Sequence, residues 1–215
     1  MNRLDEQLFE LNRELIEMGA LCEEAIASAT DALLKGDTEL AAKVRENGAA
    51  VDRMERDIEG RCVKLLLHRQ PVARDLRMIS SALKMITDME RIGDQAEDIA
   101  EIVTFLNGRT DFIPETIGEM ARRTTEMVKS GVAAFVERDI VRAKAVIAAD
   151  DAVDDCFIAA KNDIIRLIAR DPEEGGFALD LLMISKYLER IGDHAVNLAE
   201  WVIYSVTGTH EEEKR

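Results

Sequence analysis

Residues 88–101 read DMERIGDQAEDIAE, and nearly the same words return at residues 187–200 as YLERIGDHAVNLAE. Eight of the 14 positions are identical. Glu90 aligns with Glu189, Asp94 with Asp193 and Glu101 with Glu200, each 99 positions apart (189 − 90 = 99). Agreement of this extent within 215 residues marks an internal duplication, and a repeat decides the fold before any local feature does. Pro71 and Pro172 lie 101 positions apart, so the repeat extends beyond the motif.

The repeated word reads as a helix. It holds no proline, and Met85, Met89, Ile92, Ala96, Ile99 and Val103 recur at helical spacing. Glu90 and Asp94 are four apart and share a face, which Asp98 and Glu101 continue. The second copy repeats the row as Glu189, Asp193, Asn197 and Glu200. Like charges at this spacing repel by a few tenths of a kcal/mol. A sequence that spells out the repulsion twice suits a cation held between the carboxylates. Gly93 and Gly192 add a helix penalty of about 1 kcal/mol each against alanine, which a close approach by a neighbouring helix or ligand would offset.

Outward from the motif, the chain spells six helices. Leu4, Leu8, Leu11, Leu15, Met18, Cys22, Ala25, Ala29 and Ala32 form a heptad stripe. It should end at Lys35-Gly36, with Asp37 capping a second helix to about His68. The third helix is expected from about Val72 to Leu106, followed by a linker from Asn107-Gly108 to Pro114. The fourth spans about Glu115 to Val136 and the fifth Ile140 to Ala169. Glu173 to Gly176 reads as a loop. The sixth helix runs to about Val206, before a polar tail, Thr207 to Arg215. The expected fold is all-α: two tandem three-helix bundles, residues 1–108 and 109–215, from an internal duplication and pseudo-twofold related.

Composition fits this. Apolar residues are 47% of the chain but aromatics only 4%, so aliphatic side chains and methionine must fill the core. The net charge of −15 argues against nucleic acid or anionic lipid as primary partners, since both need a basic face. Cys22, Cys62 and Cys156 are widely spaced with no CxxC, and buried reduced thiols are expected. MNRLDEQLFE is acidic and amphipathic, and no apolar run approaches the ~20 residues that span a bilayer. A cytoplasmic location is expected.

The second helix of each half also carries spaced acids: Asp52, Glu55 and Glu59 in the first, Asp150 and Asp154 in the second. Antiparallel packing of the second and third helices can bring these to Glu90-Asp94 and Glu189-Asp193. Converging carboxylates form an oxygen-rich site for hard divalent or trivalent cations: magnesium, calcium, manganese or ferric iron. Asp98 and Asn197 are secondary candidates. Two other readings stay open, a solvated acidic face and ion pairs with Arg91 and Arg190. No Walker A segment, GxGxxG, HExxH or GxSxG is present, and no histidine sits in Glu-x-x-His, so an enzyme finds no support.

At the two ERIGD words and at HRQPVARDLR (residues 68–77), the chain resembles the PhoU family of phosphate-transport accessory proteins over essentially its full length. The resemblance implies two three-helix bundles without catalytic activity. It implies a negative regulator of the phosphate-starvation response and of high-affinity phosphate uptake. Such a regulator is an adaptor between the phosphate ABC transporter ATPase and a sensor histidine kinase. It would be a homodimer that meets the membrane only through those partners. It also implies iron or zinc clusters on paired E(D)xxxD motifs, matched here by Glu90-Asp94, Glu189-Asp193 and Asp150-Asp154. The remaining motif departs: it reads Gly48-x-x-x-Asp52, one acid short, with Glu55-x-x-x-Glu59 alongside as a substitute. The competing function is a metal-binding or metal-storage helical bundle without a phosphate-signalling role, and a third is a purely structural scaffold.

Overall fold

The stripe that begins at Leu4 becomes α1, Arg3–Lys35, and the other five helical runs follow in order. They are α2 (Thr38–Arg69), α3 (Ala73–Leu106), α4 (Glu115–Glu137), α5 (Ile140–Arg170) and α6 (Gly175–Thr207). The computed structural model describes residues 3–69 and 71–209. Gln70 and the end of the polar tail, 210–215, lie outside the described residues. Among the described residues there is no strand, and no helix is long and apolar enough to cross a membrane.

The duplication is visible in the turns. α1 ends where Gly36 turns left-handed (φ 66°). Its N–H reaches Leu33 O at 3.3 Å, and the Asp37 N–H reaches Ala32 O at 2.9 Å. This paired closure satisfies carbonyls that the helix end leaves open. The α4–α5 turn repeats it with Arg138 (φ 58°), whose N–H reaches Phe135 O, while the Asp139 N–H reaches Ala134 O. The next residue then caps the following helix. Asp37 accepts from the Leu40 N–H at 2.9 Å, and Asp139 from the Arg142 N–H at 3.0 Å. Arginine in this left-handed position costs about 1 kcal/mol that glycine avoids.

Two expectations need correction. Glu173 to Gly176 is no loop: Pro172–Glu174 forms a single 3-10 turn and Gly175-Gly176 opens α6. Asp171 caps the turn by accepting from the Glu173 N–H at 3.2 Å. The first residues of a helix make few intrahelical bonds, so glycine is tolerated there. Cys156 is only partly buried, whereas Cys22 and Cys62 are interior. Cys156 packs against the edge of the core with part of its surface open to water. Burial pushes the Cys22 and Cys62 thiols up to about 12.

Within each half the three helices pack on one another, α1–α2–α3 and α4–α5–α6. Between the halves, α1 meets α4 and α3 meets α6, and the α3–α6 contact is the broadest in the molecule. The centre is therefore a four-helix layer of α1, α3, α4 and α6, with α2 and α5 on opposite flanks. Met18, Met85, Met89, Ile92, Leu188, Ile191 and Leu198 are wholly buried in it. Aliphatic and thioether side chains fill this core because α3 and α6 are apolar on the seam and acidic toward their flanking helices.

A polar clasp crosses the seam. Asp88 on α3 accepts hydrogen bonds from His194 Nδ1 and Asn197 Nδ2 on α6, both at 2.9 Å. A second tie joins the linker to α6: Arg109 pairs with Asp111 and with Glu174 and lies 4.0 Å over the Phe177 ring.

Candidate metal centre

Glu90 and Asp94 stand one turn apart on the side of α3 that faces α2. The residue between them in the motif, Gly93, sets the distance to that helix. A Cβ at position 93 would stand 3.1 Å from Val51 Cγ1, so α2 approaches as closely as a bare backbone permits. Val51 is buried, and its neighbour Asp52 turns to the acids of α3. Carboxylate oxygens of Asp52, Glu90 and Asp94 lie within 4.8 Å of one another. The helix penalty of the motif glycine is thus offset by helix approach, as the sequence implied.

The crowding shows in the acids themselves. Burial pushes the Glu90 carboxyl above its ordinary range. Asp94 adds to the shift, Arg91 opposes it, and Asp52 and Glu55 add again. Arg91 contacts the pair loosely, at 3.6 Å from Glu90 Oε2 and 3.4 Å from Asp94 Oδ2, and its side chain is 57% exposed. A pair so exposed is worth at most about 1 kcal/mol. Arg91 therefore neutralises part of the charge and leaves the rest.

In the second half Asp150 leans from α5 over the other motif glycine. Its Oδ1 lies 3.0 Å from where a Cβ of residue 192 would stand. Burial raises the Asp150 carboxyl first, and Asp154, Asp193, Glu189 and Asp151 raise it further, to about 6. Asp193 is raised too, by burial and then by Glu189, with Lys186 opposing. Lys186 Nζ donates to Glu189, so this half already holds one internal cation. Among the described residues, no second-half trio converges as Asp52, Glu90 and Asp94 do.

The other predicted residues scatter around these centres. Burial raises the Glu55 carboxyl, with Glu59 and Asp52 adding to the shift, while Glu59 itself is exposed. Asp98 is half-buried toward the seam, raised by burial, Asp94 and Glu101 and opposed by Arg190 of α6. Asn197 is committed to Asp88. Reading the sequence missed two residues. Asp88 carried no signal, because its repeat counterpart is Tyr187. Glu97 lies against Gly48, and a comparison of both halves column by column would have revealed it.

The donor set is carboxylate oxygen alone, which suits hard cations better than zinc, whose preferred partners are nitrogen and sulfur. His194 next to Asp193 is turned away to Asp88, and Cys22 and Cys62 are interior. Raised carboxyls opposed by few cations fit a site that a metal ion would neutralise. Asp52, Glu90 and Asp94 would hold it on one flank, and Asp150, Asp154, Glu189 and Asp193 on the other. There it would supply charge neutralisation and a bridge between neighbouring helices.

Comparison with known proteins agrees in sequence and fold. The family profile described as PhoU domain matches twice, at residues 15–103 and 117–202. A phosphate-specific transport system accessory protein PhoU homolog of Clostridium acetobutylicum is 36% identical, covering 95% of this chain and 94% of that relative. A homolog under the same name from Aquifex aeolicus is 38% identical over 87% of this chain and 86% of its own. The crystal structure of PhoU from Pseudomonas aeruginosa superposes with a TM-score of 0.91 at 35% identity, covering 96% of this chain and 100% of that one. The phosphate transport system regulatory protein PhoU from Streptococcus pneumoniae gives 0.88 at 27% identity, with 97% and 99% covered.

Proposed function

The chain belongs to the PhoU family, and we propose that it is a non-enzymatic negative regulator of the phosphate-starvation response and of high-affinity phosphate uptake. In this reading it is a cytoplasmic adaptor between the ATPase of a phosphate ABC transporter and a sensor histidine kinase, and it acts as a homodimer. The observation that carries the reading is end-to-end similarity, in sequence and in fold, to proteins named as phosphate-transport accessory and regulatory proteins. The duplicated fold supports an adaptor because two related flanks, α2–α3 and α5–α6, point away from one shared centre and can engage two partners. The carboxylates on those flanks hold divalent or trivalent cations and present them to the partner surface.

The test is a phosphate-starvation reporter, such as alkaline phosphatase, in a deletion strain grown with abundant phosphate. The reporter is expected to be on constitutively and to fall silent when the intact gene is restored. A reporter that stays silent in the deletion strain overturns the reading. A variant carrying Glu90→Ala, Asp94→Ala, Glu189→Ala and Asp193→Ala is expected to fold and to lose partner binding. Equal partner binding by that variant removes the metal from the mechanism. The convergence of Asp52, Glu90 and Asp94 favours one further reading, a metal-storage bundle without a signalling role. Metal bound by the purified protein, together with a silent reporter, would select it.

A further inference from the structure

The first half lacks one acid of the paired pattern, because Gly48 stands where the second half has Asp150. The space above Gly48 is taken. A Cβ built on residue 48 would fall 1.5 Å from Glu97 Oε1, 2.1 Å from Cδ and 2.7 Å from Oε2. The whole carboxyl group of Glu97 therefore occupies the place of a side chain at 48. The second half shows the reciprocal arrangement: Asp150 supplies the carboxylate from α5, and the counterpart of Glu97 on α6 is Val196. One acid on the second helix and an apolar residue on the third have been exchanged for a glycine on the second and an acid on the third.

We propose that Glu97 is the missing ligand of the first-half metal centre, delivering across Gly48 the carboxylate that Asp150 delivers in the second half. This rests on the metal-binding part of the proposed function. Glu97 lies seven residues beyond Glu90 and three beyond Asp94, on the same side of α3. Among the described residues it forms no hydrogen bond or ion pair. Arg45, the nearby cation, pairs with Glu101 at 3.3 Å. Burial raises the Glu97 carboxyl, the charges of Asp94, Asp52 and Asp98 raise it further, and Arg45 opposes them, so it shares the field of the same cluster. Gly48 is the permissive half of the exchange: any larger residue there would push the carboxyl out.

The test titrates Mn(II) into chelator-treated full-length protein by calorimetry. The background is Asp150→Asn, Asp154→Asn, Glu189→Gln and Asp193→Asn, so that only the first half reports. Glu97→Gln is expected to weaken Mn(II) binding about tenfold or more, the range seen when the ligand environment of a metal is broken. Gly48→Asp combined with Glu97→Val, which installs the second-half pattern, is expected to restore binding to within about threefold of the background protein. A role for Glu97 in packing alone would not predict that rescue. If Glu97→Gln binds Mn(II) as the background protein does, while Asp52→Asn with Glu90→Gln and Asp94→Asn abolishes binding, Glu97 is no ligand and the metal reading survives. If the unaltered chain binds no Mn(II) at either half, the metal reading itself fails and takes this inference with it.

Discussion

The two halves of the chain place the same acids on their third helices but close them in different ways. In the first, α2 comes against α3 through a Val51–Gly93 contact, and Asp52, Glu90 and Asp94 converge. In the second, Asp150 Oδ1 comes to 3.0 Å from the Cβ place of Gly192 while Val153, the counterpart of Val51, stands off at 3.5 Å, and Lys186 ties Glu189 back to its own helix. The difference teaches that both halves keep a carboxyl between their second and third helices although different helices supply it. The first half carries glycine on α2 and the carboxyl on α3, the second carries the carboxyl on α5 and valine on α6, and in the first the Glu97 carboxyl fills the space over Gly48.

The largest test of this comparison is at the seam, where the halves are least alike. Asp88 is 14% exposed at its side chain and accepts from both His194 and Asn197. Its counterpart Tyr187 makes no hydrogen bond among the described residues. Removing a charged acceptor from two partly buried donors costs about 2 kcal/mol. Asp88→Ala is therefore expected to lower the unfolding free energy measured in urea by that amount, while Tyr187→Phe stays within about 0.5 kcal/mol of the parent. Equal losses from the two variants would show that the clasp adds nothing beyond packing.

The motif glycines give a smaller and opposite-signed pair. Alanine in a helix gains about 1 kcal/mol over glycine. At position 93 the new methyl would meet the branched, buried Val51 at 3.1 Å, which cannot rotate away, and overpacking costs about 1–3 kcal/mol. At position 192 it would meet a carboxylate oxygen at 3.0 Å, on a side chain able to swing outward. Gly93→Ala is expected to lose about 1 kcal/mol, and Gly192→Ala to be neutral or slightly stabilising in metal-free protein. Thermal melts of both settle the signs, and two losses of equal size would contradict the contrast between Val51 and Asp150.

How much of this was legible beforehand depends on whether a feature lay along one helix or between two. The ERIGD duplication, the heptad stripe from Leu4 and the cap at Asp37 are periodic or local, and the helices follow from them. Gly175-Gly176 misled because glycine pairs ordinarily mark loops, whereas the first turn of a helix tolerates them once Asp171 caps the preceding turn. Cys156 misled because cysteine type suggests burial, and only the helix face decides it. Asp88 and Glu97 escaped for one reason. Each is defined by a partner on another helix, His194 in one case and the empty side of Gly48 in the other. Spacing along a single helix carries no such information. The exchange of Gly48 and Glu97 for Asp150 and Val196 is visible only once both pairs of helices are aligned together.

The smallest effect separates the halves by pH. Asp150 holds its proton to about 6 in the folded chain, through burial and then Asp154, Asp193, Glu189 and Asp151. An aspartate in the unfolded chain releases it near 3.9. Between about pH 4 and pH 6 the folded state therefore binds more protons than the unfolded state, and stability falls as pH rises through that window. Water reaches part of this carboxyl, so the loss is discounted to about 1 kcal/mol. The raised acids Glu55, Glu90, Glu97, Asp98 and Asp193 tilt the parent curve in the same direction, and the comparison with one variant isolates Asp150. In metal-free protein, Asp150→Asn is expected to match the parent near pH 4 and to exceed it by about 1 kcal/mol at pH 7, measured by urea unfolding. Glu97→Gln, the first-half counterpart, flattens the curve in the same sense. Curves that remain parallel for both variants would mean that neither carboxyl feels its neighbours, and the charge-conserving exchange between the halves would lose its electrostatic basis.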